Sequence, residues 1–320
     1  MFLVVAGIGI NADAGIDRTL GAVLGLDTGE TVKLPVPGQG GGQEGAVPLW
    51  QSWKPPAGMP AAGEQGTHDI PNSHSGFIAR PAGIYLPPAA RTAKPPILPL
   101  VIMLMGQPGD PTPQFIGGVL DTYAAANQGL APIVVVADQI GPDQNDTLCV
   151  DSKKYGKVES YIMKDVVGFA RDNLGVLQDP KSWTIAGYSN GGQCAISLGA
   201  KYPDVFGNIL DISGEEFPGA EDSSGNLAQV FNGDQAAYDA QKPINIMAGK
   251  HFRDTTAIFT VGALDAIYVP AAQTVSAAAQ AAGMATTYYE VPNAGHLGAA
   301  LTGGLEKGFE ILYPRLDLSR

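Results

Sequence analysis

The chain has little cysteine, little histidine and little positive charge, and no apolar run of membrane-spanning length. Two cysteines, Cys149 and Cys194, in 320 residues exclude a disulfide scaffold. Nineteen Lys and Arg against 31 Asp and Glu leave a net charge of −12. That balance argues against nucleic acid or an anionic membrane surface as an electrostatic partner, and leaves room for cationic ligands. Histidine chemistry is confined to His68, His74, His251 and His296. No internal repeat is present. What is abundant is glycine (42) and proline (25), within a composition that is 45% hydrophobic. This describes a loop-rich globular protein, long enough to bury a large core.

Residues 1–10 (MFLVVAGIGI) are apolar and uncharged, but about half as long as a membrane helix requires. They lack the basic flank and cleavage site of a signal peptide. They read as a buried strand or as the end of a membrane segment. Ile16, Leu20, Val23 and Leu24 follow at helical spacing, predicting an amphipathic helix over 11–26 that lies on a membrane or on the main domain. Residues 1–34 thus form an N-terminal appendage. Residues 35–66 form a Gly/Pro-rich connector, ordered in part by docking of Trp50 and Trp53, and residues 67–320 form the main domain.

Within that domain, 76–79 (GFIA) and 83–86 (GIYL) read as a hairpin or paired strands. The runs 99–105 (PLVIMLM) and 132–137 (PIVVVA) are nearly continuous in apolar residues, as expected of strands buried on both faces. Further strands are expected at 183–186, 208–212, 257–261 and 286–291. Helices are expected at 158–173, after residue 189, at 270–282 and at 301–312. Alternating strands and helices imply an α/β fold with a mainly parallel sheet covered on both faces.

Between one such strand and helix lies Gly187-Tyr188-Ser189-Asn190-Gly191-Gly192. A serine on a sharp strand-to-helix turn needs small neighbours two residues before and two after it, and this one has them. The turn exposes the hydroxyl and sets the next N–H groups at a helix N-terminus, where negative charge is stabilised. A nucleophilic serine needs a base, and a base needs an acid to orient it. His296 lies in a Gly-flanked loop after the last strand, where this architecture places its base; His68, His74 and His251 read as surface histidines. A metal site at His68, Asp69 and His74 lacks a supporting ligand set, and no cofactor is called for. Asp265 follows the strand at 257–261, at the edge where catalytic groups gather in parallel sheets. The order Ser189, Asp265, His296 is the order the fold requires. Asp211 is the rival acid, and an N-cap role the rival reading of Asp265. Asn190 and Gln107 are the expected oxyanion donors, since Pro108 has no N–H.

Tyr85-Leu86-Pro87-Pro88, Met105-Gly106-Gln107-Pro108-Gly109, the serine turn, Gly262-Ala263-Leu264-Asp265 and Gly295-His296 together resemble an esterase family. It includes esterase D, the feruloyl and enterochelin esterases and the mycolyltransferases. The resemblance covers roughly residues 70–315 and implies the α/β-hydrolase fold for residues 67–320. It implies a serine carboxylic-ester hydrolase without metal or cofactor, or, with the same triad, an acyltransferase. A non-catalytic binding module on the same fold is the third alternative. Met105 stands where many members carry the His of a His-Gly pair. The mycolyltransferases use glutamate as the acid, against Asp265 here, which weakens the transferase reading. Cys149-Val150-Asp151-Ser152 and Glu159-Ser160-Tyr161 look most like membrane-tethered actinobacterial members, some of which are thought to hydrolyse aminoacyl-phosphatidylglycerol. The expectation is therefore an extracytoplasmic, cell-envelope enzyme acting on a lipid-linked ester, with membrane association through its N-terminal segment. Glu215 and Glu216, beyond the strand at 208–212, are candidates to receive a cationic group, and Tyr188 is a candidate substrate contact. Cys149 and Cys194 form a disulfide beside the site if the protein is exported, and are buried free thiols otherwise.

Overall fold

The computed structural model describes residues 31–34 and 47–320. The apolar segment 1–10, the amphipathic helix 11–26 and the first part of the connector lie outside the described residues. The sheet is built from β1 (Glu64–His68), β2 (Ala82–Leu86), β3 (Leu100–Leu104) and β4 (Ile133–Ala137). A two-residue hairpin, β5 (Asp151–Ser152) with β6 (Gly156–Lys157), stands apart from it. The sheet continues with β7 (Trp183–Tyr188), β8 (Asn208–Ile212), β9 (Thr256–Gly262) and β10 (Ala285–Val291). Its strand order is β1-β2-β4-β3-β7-β8-β9-β10. Only β1 against β2 and β2 against β4 run antiparallel. The rest is parallel, so the carboxyl ends of β3, β4, β7, β8, β9 and β10 share one edge.

Five longer helices cover the faces: α1 (Gln114–Ala126), α2 over 158–173, α3 (Asn190–Lys201), α4 (Tyr268–Ala281) and α5 (Gly298–Arg315). The middle of α2, Tyr161–Val166, is wound as a π helix. Alternation along the strands divides the core. Ile185 and Ile209 pack toward α3 at Gly199, while Leu210 and Ile212 pack toward α5 at Gly308 and Gly304. β3 (LVIML), β4 and β7 are buried along their full length. This accounts for apolar runs that do not alternate. No helix among the described residues is long and apolar enough to cross a membrane.

Three expectations need correction. The connector does not extend to residue 66, because β1 begins at Glu64. Glu-Gln-Gly-Thr-His buries little and is held by backbone pairing at the sheet edge, so no apolar pattern betrays it. Residues 76–79 are not a strand: β2 takes β1 as its partner, and Phe77 anchors a loop through its buried ring against Tyr161. The third is α1, for which no helix was expected. Phe115, Ile116, Val119, Leu120 and Ala124 form its buried face, but Gly117-Gly118 interrupts the pattern. Gly117 is there because α1 approaches β1 and β2 closely: a methyl at that position would meet the Gln65 and Tyr85 side chains. The two tryptophans do dock. Trp53 Nε1 donates to the Gln128 carbonyl at 3.0 Å, and the Arg320 guanidinium lies 5.4 Å from the Trp50 ring.

Candidate active site

Ser189 sits between β7 and α3 with φ 55° and ψ −120°, a backbone conformation that L-residues rarely adopt. The glycines around it make this possible. A methyl on Gly187 would come within 1.9 Å of the Gly191 carbonyl oxygen, and one on Gly191 within 2.1 Å of the Leu104 carbonyl oxygen. The turn is held by the Ser189 N–H on the Ile212 carbonyl (2.8 Å), and the Ser189 carbonyl accepts from Gly192 and Gln193. Asn190 is the first residue of α3, so its N–H has no intrahelical acceptor.

Ser189 Oγ lies 2.9 Å from His296 Nε2, and His296 Nδ1 lies 2.7 Å from Asp265 Oδ2. Asp265 is buried, and its other oxygen accepts the Tyr268 N–H at 3.2 Å at the start of α4. Both readings of Asp265 thus hold at once: it caps a helix with one oxygen and orients the imidazole with the other. The histidine is braced on the rings of Tyr188 and Tyr268, with centroids at 5.5 and 4.1 Å. Asp211, the rival acid, is fully buried and accepts the Gly214 N–H at 2.9 Å. Burial pushes its carboxyl up to about 7.

The side of Ser189 that carries the expected oxyanion donors is fastened from several directions. A methyl built on Gly106 would sit 3.4 Å from Ser189 Cβ, so the loop carrying Gln107 runs beside the nucleophile. Gln107 Nε2 donates to the Gln144 carbonyl at 2.7 Å. Arg80, not anticipated from sequence, joins this loop to its neighbour. Its guanidinium donates to Asp110 (2.6 Å), to the Gly109 carbonyl (2.7 Å) and to buried Asp138 (2.9 Å). Beyond Asp138, Gln139 Nε2 donates to the Met105 carbonyl and to Asn190 Oδ1, while Asn190 Nδ2 donates to Asp146 (2.9 Å). A Cys149–Cys194 disulfide ties the end of this loop to α3, with Cα atoms 5.7 Å apart.

Of the candidate substrate contacts, Tyr188 is buried, and its hydroxyl donates to the His296 carbonyl; it positions the histidine loop. Glu216 is half-buried. The charges that act on Glu215 are those of Asp146 and Glu221. Burial first, and these charges second, push Glu215 up to about 8, although the Gly219 and Ala220 N–H groups oppose the shift. Its Oε2 is buried without a hydrogen-bond partner. Glu221 accepts from the Tyr268 hydroxyl at 3.2 Å, and that hydroxyl also interacts with Ser189. Asp146, Glu221 and Tyr268 were invisible to sequence reasoning except that Tyr268 stands three residues beyond Asp265. His74 pairs with buried Asp165 at 3.0 Å, and the His68 ring lies tilted against Phe169 with centroids 5.2 Å apart.

A family model described as "Putative esterase" matches residues 79–296, a span that holds Arg80, Gln107, Ser189, Glu215, Asp265 and His296. The chain belongs to that esterase family. Its fold is that of the α/β-hydrolases. The esterase is 33% identical over 233 residues to an uncharacterized protein of Corynebacterium glutamicum, covering 70% of this chain and 54% of that protein. The chain therefore spans about half the length of the curated relative it matches. Among solved structures it is similar in fold to an S-formylglutathione hydrolase from Agrobacterium tumefaciens (TM-score 0.66, 17% identity, 80% of this chain and 97% of that one). A ferulic acid esterase from Anaeromyces mucronatus has TM-score 0.58 and 13% identity over 91% of this chain and 98% of its own. A fluorophosphonate-binding serine hydrolase of Staphylococcus aureus has TM-score 0.56 and 12% identity, over 78% and 98%.

Proposed function

We propose that this esterase works through an acyl-enzyme on Ser189 and that its substrate is a lipid-linked ester carrying a cationic acyl group, of which aminoacyl-phosphatidylglycerol is the type. The continuous hydrogen-bonded line Ser189–His296–Asp265 carries the mechanism. Ser189 Oγ attacks the carbonyl carbon as His296 Nε2 takes its proton, and the carbonyl oxygen becomes an oxyanion facing the N–H groups of Asn190 and Gln107. As the C–O bond breaks, His296 returns the proton to the leaving alcohol. Water then gives a proton to His296 and attacks the acyl-enzyme; the acid departs and Ser189 recovers its hydrogen.

The acyl preference is supported by Glu215, whose unpartnered buried oxygen lies among the charges of Asp146 and Glu221, the latter bonded to the Tyr268 hydroxyl that also interacts with Ser189. An ammonium group there would stabilise the carboxylate and release its proton. The disulfide supports an oxidising, extracytoplasmic setting, and the apolar N-terminal sequence supports attachment to the cell envelope.

A fluorophosphonate probe is expected to label the wild type and not Ser189→Ala; equal labelling removes the nucleophile assignment. Hydrolysis of aminoacyl-phosphatidylglycerol is then compared with that of simple acyl esters. The charge-reversed variant Glu215→Lys/Glu216→Lys is expected to lose the former selectively. If aminoacyl-ester turnover survives that change, the cationic substrate is withdrawn. An added acceptor alcohol that diverts most acyl groups from water would make the enzyme a transferase.

A further inference from the structure

Five large apolar side chains stand exposed among the described residues, and three of them surround the histidine arm of the site. Leu264 (69% exposed) precedes Asp265, Ile267 (79%) follows it by two residues, and Leu297 (44%) follows His296. They are brought together by the fold. The Leu264 N–H donates to the Ala294 carbonyl at 2.8 Å, which locks the loop after β9 onto the loop after β10. Gly262 lies so close to the second loop that an added methyl would meet the Gly295 carbonyl oxygen at 2.0 Å. Tyr268, next to Ile267, lays its ring 4.1 Å from the His296 ring. The three side chains thus stand in solvent on two joined loops that also carry Asp265 and His296, and neither the triad nor the loop carrying Gln107 uses them.

The proton path determines which half of an ester these side chains meet. His296 Nε2 must hydrogen-bond the leaving oxygen in order to return its proton, so the alcohol half departs on the histidine side of Ser189. Leu264, Ile267 and Leu297 stand on the two loops that carry the histidine and its carboxylate to that side. We infer that this apolar group is the subsite for the alcohol half of the substrate and that it selects alcohols with an aliphatic chain. The inference rests on the acyl-enzyme reading above. Its chemical basis is the transfer of apolar surface out of water on both sides of the contact, which grows with each added methylene.

The test uses two series of soluble esters with the purified full chain and its Leu264→Ser/Ile267→Ser/Leu297→Ser variant. In one series acetate is joined to ethanol, butanol, hexanol or octanol; in the other, ethanol is joined to acids of the same lengths. In the wild type, kcat/KM along the alcohol series is expected to rise about 10-fold or more from ethyl to octyl. In the variant that octyl-to-ethyl ratio is expected to fall to about 2 or less, while the acyl-series ratio stays as in the wild type. Ratios within one protein cancel any loss of folded enzyme. A flat wild-type alcohol series, an unchanged alcohol ratio in the variant, or a collapse of the acyl ratio instead, each overturns the inference. So does a change in sedimentation from oligomer to monomer with both ratios intact, since the apolar group would then be an interface between copies. Absence of Ser189 labelling and of turnover on every ester would instead sink the acyl-enzyme reading, and this inference with it.

Discussion

The two flanks of Ser189 are built on opposite principles. On the oxyanion flank every loop is tied down: Arg80 bridges Gly109, Asp110 and Asp138, Gln139 and Asp146 grip Asn190, and Cys149 is bonded to Cys194. On the histidine flank the imidazole is held by one carboxylate and two rings, and the loops around it present Leu264, Ile267 and Leu297 to solvent. The physical demands differ in the same way. Donors that stabilise an oxyanion work only if they are already oriented, because reorganising them would cost what they contribute. A surface that receives a hydrocarbon gains energy simply by leaving water.

The largest break in this comparison is on the histidine flank. Asp265→Asn keeps the shape but lets the imidazole take the wrong tautomer, and kcat is expected to fall on the order of 10⁴-fold. Steady-state assay on an acetate ester checks this, with fluorophosphonate labelling slowed in parallel. An effect below about 10-fold would mean that Asp265 acts only as a helix cap.

On the opposite flank, Arg80→Met leaves Asp138 buried without its counter-ion. It is expected to destabilise the fold by about 3–5 kcal/mol in denaturant titration. A displaced oxyanion loop is expected to reduce kcat by up to about 100-fold, with KM less affected. A loss of kcat no larger than the loss of folded protein would detach Arg80 from catalysis.

Cutting the covalent tie is a milder test of the same flank. The bridge spans 45 residues, and Cys149→Ser/Cys194→Ser is expected to cost about 2–5 kcal/mol of stability. The wild type is expected to lose the same amount in reductant, whereas the double variant is indifferent to it.

The smallest effect comes from Glu215. Folded, its carboxyl holds its proton up to about pH 8, whereas at its ordinary value of 4.5 it ionises in the unfolded chain. Between these values the native state binds the extra proton, so its stability falls as pH rises. Glu215→Gln removes that penalty. Its Tm is expected to exceed the wild type's by a few degrees at pH 8 and to match it at pH 4. A difference independent of pH would assign the effect to packing.

The legibility of the chain follows the same division. β3, β4, β7, β8 and β9 could be read because strands buried on both faces are dominated by apolar side chains, even where β8 also buries Asn208 and Asp211. β1 could not be read, because an edge strand is held by backbone hydrogen bonds that any sequence can make. The helices Ser223–Gln229, Gln235–Asp239 and Pro243–Met247 were missed because one or two turns show no periodicity. Ser189, Asp265 and His296 were legible because each stands beside small residues at the end of a recognisable strand, and a parallel sheet brings such ends to one edge.

Local chemistry alone determined the turn that strains Ser189, the order of the triad along the chain and the class of fold, since these depend on short patterns and on strand burial. Only the tertiary structure decided what surrounds the triad. Arg80 meets Asp138 across 58 residues, and Glu215 meets Asp146 and Glu221, because loops from separate strands converge on one edge. The moderate resemblance of Leu264, Ile267 and Leu297 to ordinary core residues concealed their position. A hydrophobic side chain is the same in sequence whether it is buried or exposed, and only the packing of the two loops left these three in water.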